Sequence, residues 1–579
     1  MRDQKRTSNL YTPKNVTAEL LRYQHSKGEP NVHCSTPAPR VTALLSFSAT
    51  LVLVLARLAG ATTINANSAS ESDVAAVIGS AKNGDTVIMP AGTATWTRTL
   101  PVRKAITIQG AGIGVTIVKD GAQKGALIDW TLAAGLLSRL TGIEFQDGGR
   151  INVAAAPGGL IHIDGSNTDG SQFRWDHCKW NNLNGYPVLD TVIGVIDHNE
   201  IIVGTKVNEW LFPYGNRWNG GSYGDGSWAA PANWGSSQFL FIEDNTITGT
   251  NPTYEAQIID CYGGARVVMR HNVIRGLTGN HGTESAGRTR GGRAMDIYAN
   301  QITCGNVNRF IGNNRGGSEL FHDNTITQCW GNLAQHSLAT QRMIASFNPW
   351  GGADGTNQWD KNKSGAPFYS GTATGGGNLS VTVSGAGWSS DKWAGYSIKK
   401  SDGRFSYINS NTADTISYSD SAGYGSNLSF AAGDGFVINK VDQSIDQPGV
   451  GQSNLLSGDQ PMRPADWNQV VEPCYMWGNT NDGAPYNTYT VNQANVKHRV
   501  HYFNNTALPG YTEYVYPHPL VTGNPPPSRT PSSPAATRTS MRKPWGGKQK
   551  EAKRVTKPGR KAKENAINEM AEGQENLDR

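Results

Sequence analysis

The chain has 579 residues, of which 68 are glycine and only 17% are charged. This composition favours a turn-rich, all-β protein over a helical one. Net charge is unevenly spread: residues 538–579 carry +6 and 1–40 carry +4, whereas 41–537 carry −4. Because the central part is mildly acidic, no nucleic-acid partner is expected for the folded body.

An apolar run from Val41 to Ala56 is the first element of the chain. It matches the hydrophobic region of a signal peptide and is shorter than the roughly 20 residues of a membrane span. Ala59 and Ala61 follow with the spacing of a cleavage site. We therefore expect residues 1–61 to be a leader cleaved before Thr62, and the mature protein to be secreted or at the cell surface without a stable membrane span. A membrane anchor is the alternative.

Residues 70–82 predict a short amphipathic helix, because Ser70 and Asp73 match an N-terminal capping pattern. The segments TVIMPAG (86–92) and AITIQGAGIGVTIV (105–118) follow as strands. A helix ahead of the first coil would cover backbone groups that an open end leaves unpaired.

Five short strand–turn segments recur in the middle of the chain, each with an asparagine at its centre. They are IDHNEII, IEDNTIT, MRHNVIR, IYANQIT and FHDNTIT, around Asn199, Asn245, Asn272, Asn300 and Asn324. From Asn245 onward the spacings are 27, 28 and 24 residues. Such a period predicts a parallel β-helix, in which each coil buries its apolar face against the next. Asparagine tolerates left-handed backbone and bonds neighbouring backbone groups, so the corners predict a stacked asparagine column.

The predicted coils occupy residues 62–363 and 441–522. Between them, residues 364–440 are rich in Gly, Ser and Thr with alternating strands, and predict a small inserted β-domain. The coils should close near Tyr516–Leu520. Residues 523–579 predict a disordered Pro/Ser linker and a basic tail.

Five cysteines follow the leader, and an odd number leaves at least one thiol free. They are Cys178, Cys261, Cys304, Cys329 and Cys474. Cys304 and Cys329 lie about one coil apart, so they could stack or form a disulfide. Buried unpaired cysteines are the favoured interpretation.

Residues 281–296 combine arginines, a histidine and acidic residues with several glycines. Arginine forks suit carboxylate recognition, and β-elimination on a uronate needs a base and a group that neutralises the carboxylate. The candidate catalytic residues are His281, Glu284, Arg288, Arg290 and Arg293. The alternative is a solvated turn whose arginines pair with Glu284 and Asp296.

Residues 206–237 predict a long loop with seven aromatic residues, three of them Trp210, Phe212 and Tyr214. Exposed aromatic rings could stack on sugar rings. The candidate substrate-binding residues are Trp218, Tyr223, Trp228 and Trp234. The alternative is that most of these rings pack the loop against the coils.

Polar pairs recur at similar coil positions: Asp176-His177, the histidine of IDHNEII (His198) and His322-Asp323. A repeated position favours a role in stabilising the corner over a role in catalysis.

The opening segments, residues 72–96 and 106–118, resemble the start of the pectate-lyase-like superfamily of right-handed parallel β-helix proteins. The resemblance covers roughly residues 62–350 and 441–522. It implies an all-β fold: a right-handed parallel β-helix with an N-terminal capping helix, into which the small β-domain is inserted.

Three segments resemble the pectate lyases more closely: residues 173–180 (FRWDHCKW), 258–272 (IIDCYGGARVVMRHN) and 288–300. The resemblance implies that Asp260 is a carboxylate of a calcium site and that Arg288 or Arg290 is the base. No second calcium ligand is evident, and Glu243 and Asp244 are candidates. The arginine stretch lacks the family's proline and follows an additional His-Gly-Thr-Glu.

The function expected from these features is a polysaccharide lyase that cleaves an acidic, uronate-containing glycan by β-elimination. A non-catalytic glycan-binding or adhesive solenoid is the alternative, because many folds of this type need no active site. A glycoside hydrolase is a further alternative. Asn167-Thr168-Asp169-Gly170 matches one polygalacturonase motif, but that family's paired aspartates, Gly-His-Gly and Arg-x-Lys do not follow.

Overall fold

The computed structural model describes residues 61–165, 171–215, 230–251, 256–280, 291–304, 310–329, 334–339, 354–356, 360, 366–418, 428–441, 443–444, 446–451, 469–491 and 495–523. Within these ranges the chain is nearly all β, with two short helices, α1 (Glu71–Ser80) and α2 (Pro519–Thr522). None of the helices described is long and apolar enough to cross a bilayer.

The strands of the first part of the chain are β1 (Thr63–Asn65), β2 (Thr86–Ile88), β3 (Gly92–Trp96), β4 (Leu100–Val102), β5 (Thr107–Gln109), β6 (Thr116–Asp120), β7 (Ile128–Thr131), β8 (Leu137–Thr141), β9 (Glu144–Asp147), β10 (Ile161–Asp164), β11 (Gln172–Asp176), β12 (Lys179–Asn181), β13 (Pro187–Asp190), β14 (Gly194–Asp197), β15 (Glu200–Val203), β16 (Glu209–Tyr214), β17 (Leu240–Glu243), β18 (Thr246–Gly249), β19 (Gln257–Ile259), β20 (Arg266–Arg270) and β21 (Val273–Arg275).

The remaining strands are β22 (Thr278–Asn280), β23 (Ala294–Tyr298), β24 (Gln301–Thr303), β25 (Phe310–Asn314), β26 (Ser318–His322), β27 (Thr325–Thr327), β28 (Gln335–Leu338), β29 (Tyr369–Thr372), β30 (Gly375–Gly377), β31 (Ser380–Thr382), β32 (Tyr396–Lys400), β33 (Phe405–Asn411), β34 (Thr415–Tyr418), β35 (Gly435–Lys440), β36 (Val450–Gly451), β37 (Val470–Val471), β38 (Cys474–Trp477), β39 (Thr480–Asn481), β40 (Ala484–Pro485), β41 (Thr490–Val491) and β42 (Tyr502–Asn504).

Large parallel sheets account for most of these strands. Sheet A has the order β1-β2-β5-β8-β11-β14-β17-β20-β23-β26-β38-β42, and sheet B runs from β3 and β6 to β39 and β40. Sheet C joins β4, β7, β10, β13, β16 and β19, and sheet D joins β22, β25, β28 and β41. Over most of the stack the chain visits C or D, then A, then B, and returns one level higher. The all-β prediction is confirmed, and the parallel stacks are consistent with a β-helix.

The interior of the stack is apolar and continuous. Strands such as Ile128–Thr131 alternate buried and partly exposed side chains, as expected when one sheet face is covered. Five tryptophans are almost fully enclosed in this core: Trp96, Trp130, Trp175, Trp180 and Trp210. Helix α1 adds Val74 and Ile78 to the same core, and its first turn is capped because the Ser70 Oγ accepts a hydrogen bond from the Asp73 N–H at 3.2 Å.

The predicted asparagine column is present at the corner between sheets A and B. The Oδ1 atom of Asn272 accepts bonds from the backbone N–H and the Nδ2 of Asn245, both 3.0 Å long. Its own Nδ2 donates to Ile242 O (2.8 Å), Arg270 O (3.0 Å) and Asn300 Oδ1 (2.9 Å). Each amide therefore joins one coil to the next and satisfies backbone groups that the turn leaves unpaired.

The left-handed residue of this corner is the one before the asparagine, not the asparagine itself. Examples are His198 (φ 54°), Asp244 (φ 56°), His271 (φ 56°), Ala299 (φ 54°) and Asp323 (φ 52°). The expectation that asparagine supplies the left-handed backbone was wrong. Its side chain must reach inward to the neighbouring coils, and the preceding residue makes the bend.

Cys304 and Cys329 form a disulfide with a Cα–Cα distance of 5.1 Å, which corrects the interpretation of these two residues as unpaired. Cys178, Cys261 and Cys474 are buried free thiols. The bond links β24 and the end of β27, strands that are already neighbours in sheet B.

We expect the double change Cys304→Ala and Cys329→Ala to lower the free energy of unfolding by about 3 kcal/mol, because the bond closes a loop of 25 residues. Denaturant titration with and without dithiothreitol measures this effect. The reductant should destabilise the native chain and leave the double variant unchanged. If the native chain and the double variant were equally stable without reductant, the prediction would be wrong.

A seven-stranded antiparallel sheet lies between β28 and β38 in sequence. It runs in the order β29-β35-β32-β33-β34-β31-β30 and has its own core, which contains Trp388, Trp393, Ile398, Ile416 and Phe436. The parallel stack continues across this segment, because β26 pairs directly with β38.

The last described residues, 510–523, form the C-terminal segment, which lies on the outer face of sheet A. Tyr511 Oη donates to Asp296 Oδ2 (2.7 Å), and the Arg270 guanidinium donates to the carbonyls of Tyr514 and Val515 (2.7 and 2.9 Å). Farther along, Arg174 donates to Leu520 O (3.0 Å). The segment thus runs back along the stack, whereas residues 516–520 had been expected to close the last coil.

Candidate functional site

Asp260 follows β19 and lies in a small cluster of polar side chains. Its Oδ2 accepts a hydrogen bond from Tyr262 Oη (3.0 Å), and its Oδ1 lies 3.8 Å from Arg315 Nη2. Arg315 comes from the turn between β25 and β26, two coils farther along. The Asp260 carboxylate is largely buried, and the positive charge of Arg315 lies beside it.

The turn Tyr262–Ala265, named here the 262–265 turn, anchors both segments that the sequence singled out. The backbone N–H of Gly215, where the aromatic segment leaves β16, donates to Tyr262 O (3.0 Å). The N–H of Gly264 donates to the carbonyl of Gly291, where the arginine-rich segment rejoins the stack (2.8 Å). A Cβ at Gly215 would overlap the backbone of Gly263 and Gly264, so this approach requires glycine.

The far end of the aromatic segment is also attached near this turn. Arg266 Nη2 lies 3.4 Å from Ala230 O and 3.3 Å from Pro231 O, and Arg293 Nη2 donates to Ala230 O at 3.1 Å. The described ends of the aromatic and arginine-rich segments therefore meet at one place, beside Asp260.

Arg293 is fully buried, and its guanidinium forms an ion pair with Glu472 as well as the bond to Ala230. These contacts join the arginine-rich segment to the coils that follow the antiparallel sheet. They favour a structural role for Arg293.

Seven other predicted site residues lie outside the described part of the chain. They are His281, Glu284, Arg288, Arg290, Trp218, Tyr223 and Trp228. Their roles stay predictions.

Trp210, Phe212 and Tyr214, expected in a loop, belong to strand β16 of sheet C. Trp210 points into the core. Tyr214 and Phe212 pack against the ring of Tyr262, with centroids 5.1 and 5.9 Å apart, and Tyr186 packs on Phe212 at 4.5 Å. Because Tyr186 and Tyr262 are only partly buried, the outer face of sheet C presents tyrosine rings beside Asp260.

Trp234, the described member of the predicted sugar-binding aromatics, lies elsewhere. It stacks on Phe239 at 5.8 Å and belongs to the apolar cluster beneath the C-terminal segment on sheet A, with Phe241, Tyr514 and Leu520. Its environment favours packing between loop and sheet.

Glu209 and Arg315 complete the cluster and were missed in the sequence. Burial raises the pKa of the Glu209 carboxyl, and the nearby Arg315 charge opposes this rise. Burial also raises the pKa of Tyr186, and the charges of Glu209 and Asp260 add to that rise. The site therefore holds two carboxyl groups, one with a raised pKa, and an arginine.

Calcium takes six to eight oxygen ligands, and the neighbours described for the Asp260 carboxylate include a tyrosine hydroxyl and an arginine. Glu243 and Asp244, the other candidate ligands, lie on the corner between sheets A and B, where Glu243 pairs with Arg270. Calcium binding stays a prediction.

A possible cation cluster lies under the C-terminal segment, where His322, Asp323 and Glu513 place ligand atoms within 4.8 Å of one another. His322 already uses both ring nitrogens, Nδ1 to Asp323 (2.8 Å) and Nε2 to Asp296 (3.2 Å). Although burial alone lowers the pKa of His322, these two carboxylates raise it overall. Because both ring nitrogens of His322 are already bonded to carboxylates, the cluster is better explained as a set of ion pairs than as a metal site.

Comparisons of the sequence with protein-family models and curated proteins, and of the fold with solved structures, found no match.

Proposed function

We propose that this protein is an exported right-handed parallel β-helix of the pectate-lyase-like type, with a capping helix at its N-terminal end, that cleaves an acidic polysaccharide by β-elimination. The observation that supports the proposal is the joint attachment of the aromatic and arginine-rich segments at the 262–265 turn. The described end of the arginine-rich segment, Gly291, is bonded to this turn, two residues of which follow Asp260 closely in sequence, and the segment that carries Arg288 and Arg290 precedes Gly291.

In this reaction Arg288 or Arg290 removes the proton beside the uronate carboxylate. The electron pair forms a carbon–carbon double bond as the glycosidic carbon–oxygen bond breaks, and the leaving oxygen takes up a proton. Arg315 and the other arginines balance the charge of the carboxylate. The partly exposed rings of Tyr186 and Tyr262 offer surfaces on which sugar rings stack.

Export is supported by the Cys304–Cys329 disulfide, since such bonds persist in oxidising compartments and are rare in the cytosol. The apolar run 41–56 and the cleavage pattern before Thr62 belong to the same proposal.

The test is the ultraviolet absorbance of unsaturated product from the full chain incubated with polygalacturonate or alginate, with and without calcium. We expect product, and a loss of about 100-fold or more in rate for Arg288→Ala or Arg290→Ala. Arg98→Ala is the matched control, because Arg98 is exposed and pairs with Glu71 at the other end of the stack. Equal rates for all three variants would contradict the assignment of the base.

A glycoside hydrolase is the second candidate, favoured by the raised pKa of Glu209, which like Asp260 lies near the charge of Arg315. Two carboxyl groups with different pKa values are the acid and base of such enzymes. New reducing ends without unsaturated product, lost in Glu209→Gln, would identify this activity. Retention on an immobilised glycan without any product would identify a non-catalytic binder.

A further inference from the structure

Two consecutive coils carry the same arrangement of an arginine, a buried aspartate and an exposed histidine. On the first, Arg139 holds Asp176 through bonds of 2.7 and 2.6 Å, and Asp176 Oδ2 lies 2.7 Å from His177 Nδ1. On the second, Arg174 holds Asp197 (2.9 and 2.8 Å), and Asp197 Oδ2 lies 2.9 Å from His198 Nδ1. The corner does not need an imidazole, because Asp244, Ala299 and Asp323 take the same left-handed position on later coils.

The two imidazoles are neighbours on the outside of the stack. Their rings are parallel within 6° and their centroids are 5.2 Å apart. Both side chains are exposed, by 59% for His177 and 43% for His198. Within the described residues, the Nε2 atoms have no hydrogen-bond partner.

The aspartates fix which nitrogen is available. Asp176 and Asp197 are fully buried, each is bonded to an arginine, and each places a carboxylate oxygen at the Nδ1 of the next residue, so that nitrogen carries the hydrogen and donates it. The lone pair is then on Nε2, facing solvent. Metal-binding histidines commonly have this carboxylate contact at the other ring nitrogen.

We propose that His177 and His198 bind one divalent transition-metal ion through their Nε2 atoms. Two nitrogens on a tetrahedral ion with bonds of about 2.1 Å are roughly 3.4 Å apart, so the exposed ring tips must lean toward each other. Asp244 holds the equivalent position on the next coil and adds negative charge beside His198. Imidazole nitrogens favour copper, nickel or zinc over calcium, which prefers oxygen ligands.

This site is separate from the proposed glycan site. The two histidines lie at the corner between sheets A and B, whereas the 262–265 turn connects sheet C to sheet A. The metal proposal therefore does not depend on the proposed lyase activity, and the two can be tested separately.

The experiment is a titration of the metal-free full chain with Cu²⁺ and Zn²⁺, followed by equilibrium dialysis, with Cu²⁺ also observed by electron paramagnetic resonance. The variants are His177→Asn and His198→Asn, because asparagine tolerates the left-handed backbone at both positions. His162→Asn is the matched control: His162 Nδ1 is also held by an aspartate, Asp129, at 3.0 Å, but its neighbours in the sheet are Asp129 and Val188.

We expect each of the first two variants to lose one equivalent of bound metal, or to bind it at least about tenfold more weakly, and the His162 variant to bind as the native chain does. The copper spectrum should show two imidazole nitrogens in the native chain and one in a variant that still binds copper, and excess Ca²⁺ should not compete. Unchanged binding and spectra in both variants would overturn the proposal, as would an equal loss in the His162 control. Circular dichroism establishes that the variants are folded.

Discussion

Asn272→Ala is expected to lower the free energy of unfolding by about 3–5 kcal/mol. The side chain of Asn272 makes five hydrogen bonds inside the stack, to groups on three coils. Alanine would leave the N–H of Asn245 and the carbonyls of Ile242 and Arg270 buried without this partner. Each buried polar group that loses its partner costs about 1–3 kcal/mol, and some would find new partners. Chemical denaturation followed by circular dichroism measures the loss.

The matched control is Asn65→Ala, since Asn65 is exposed on the terminal strand β1. Its substitution should change the free energy of unfolding by less than about 0.5 kcal/mol. If the two variants were equally stable, the asparagine column would not be what holds adjacent coils in register.

Acidification from pH 7.5 to pH 5 is expected to release the end of the C-terminal segment at His518. The ring of His518 is buried, and its Nδ1 accepts a bond from the Leu520 N–H at the start of α2. Burial and the charges of Arg270 and Arg174 lower its pKa from 6.5 to about 3. A neutral folded ring thus stabilises the docked segment above pH 6.5, and this contribution is lost as the pH falls toward 3. By pH 5 the loss is about 2 kcal/mol.

Hydrogen–deuterium exchange of peptides from residues 511–522, corrected for the intrinsic rate at each pH, measures this release. His518→Asn is the control, because asparagine also caps a helix but does not titrate. We expect the protection of residues around His518 to fall on acidification in the native chain and to stay constant in the variant. If protection fell equally in both proteins, the release could not be assigned to His518.

Other titrating groups that face the segment change its stability in the opposite direction when the pH falls. Burial raises the pKa of Glu243, which accepts from the His518 N–H, so protonation of Glu243 favours the folded state and offsets part of the effect. The pKa of His322, near Tyr511, is also raised overall. Its stabilising contribution is fully present below pH 6.5 and is lost only as the pH rises through its folded value. The Tyr511 end of the segment should therefore stay docked at pH 5.

The asparagine repeat made the stacked parallel strands predictable, because its period reports one coil and its side chain has one geometric role. Strand β16 was not predictable in the same way. Its aromatic residues sit beside glycines and tryptophans that read as a loop, and only pairing with β13 and β19 defines it as a strand. The course of the C-terminal segment was not predictable from its composition either. Residues 516–520 resemble part of one more coil, but in the structure they bond to several different coils.

The candidate site was only partly visible in the sequence. Asp260 was found through a family resemblance, and the arginine-rich segment through its composition. Arg315 is 55 positions after Asp260 and carries no local motif, so their contact depends on the register of coils that the sequence does not specify. Glu209 acquires its raised pKa from burial, which is likewise a property of the assembled stack.

The direct pairing of β26 with β38 has a consequence for how this architecture can grow. His322 faces Trp477 across adjacent strands, although 154 residues separate them. The entropic cost of closing such a long excursion rises only by about 0.6 kcal/mol for each doubling of its length. The segment between β26 and β38, which contains the antiparallel sheet, can therefore be exchanged, lengthened or removed. The coils on either side would still pair with each other.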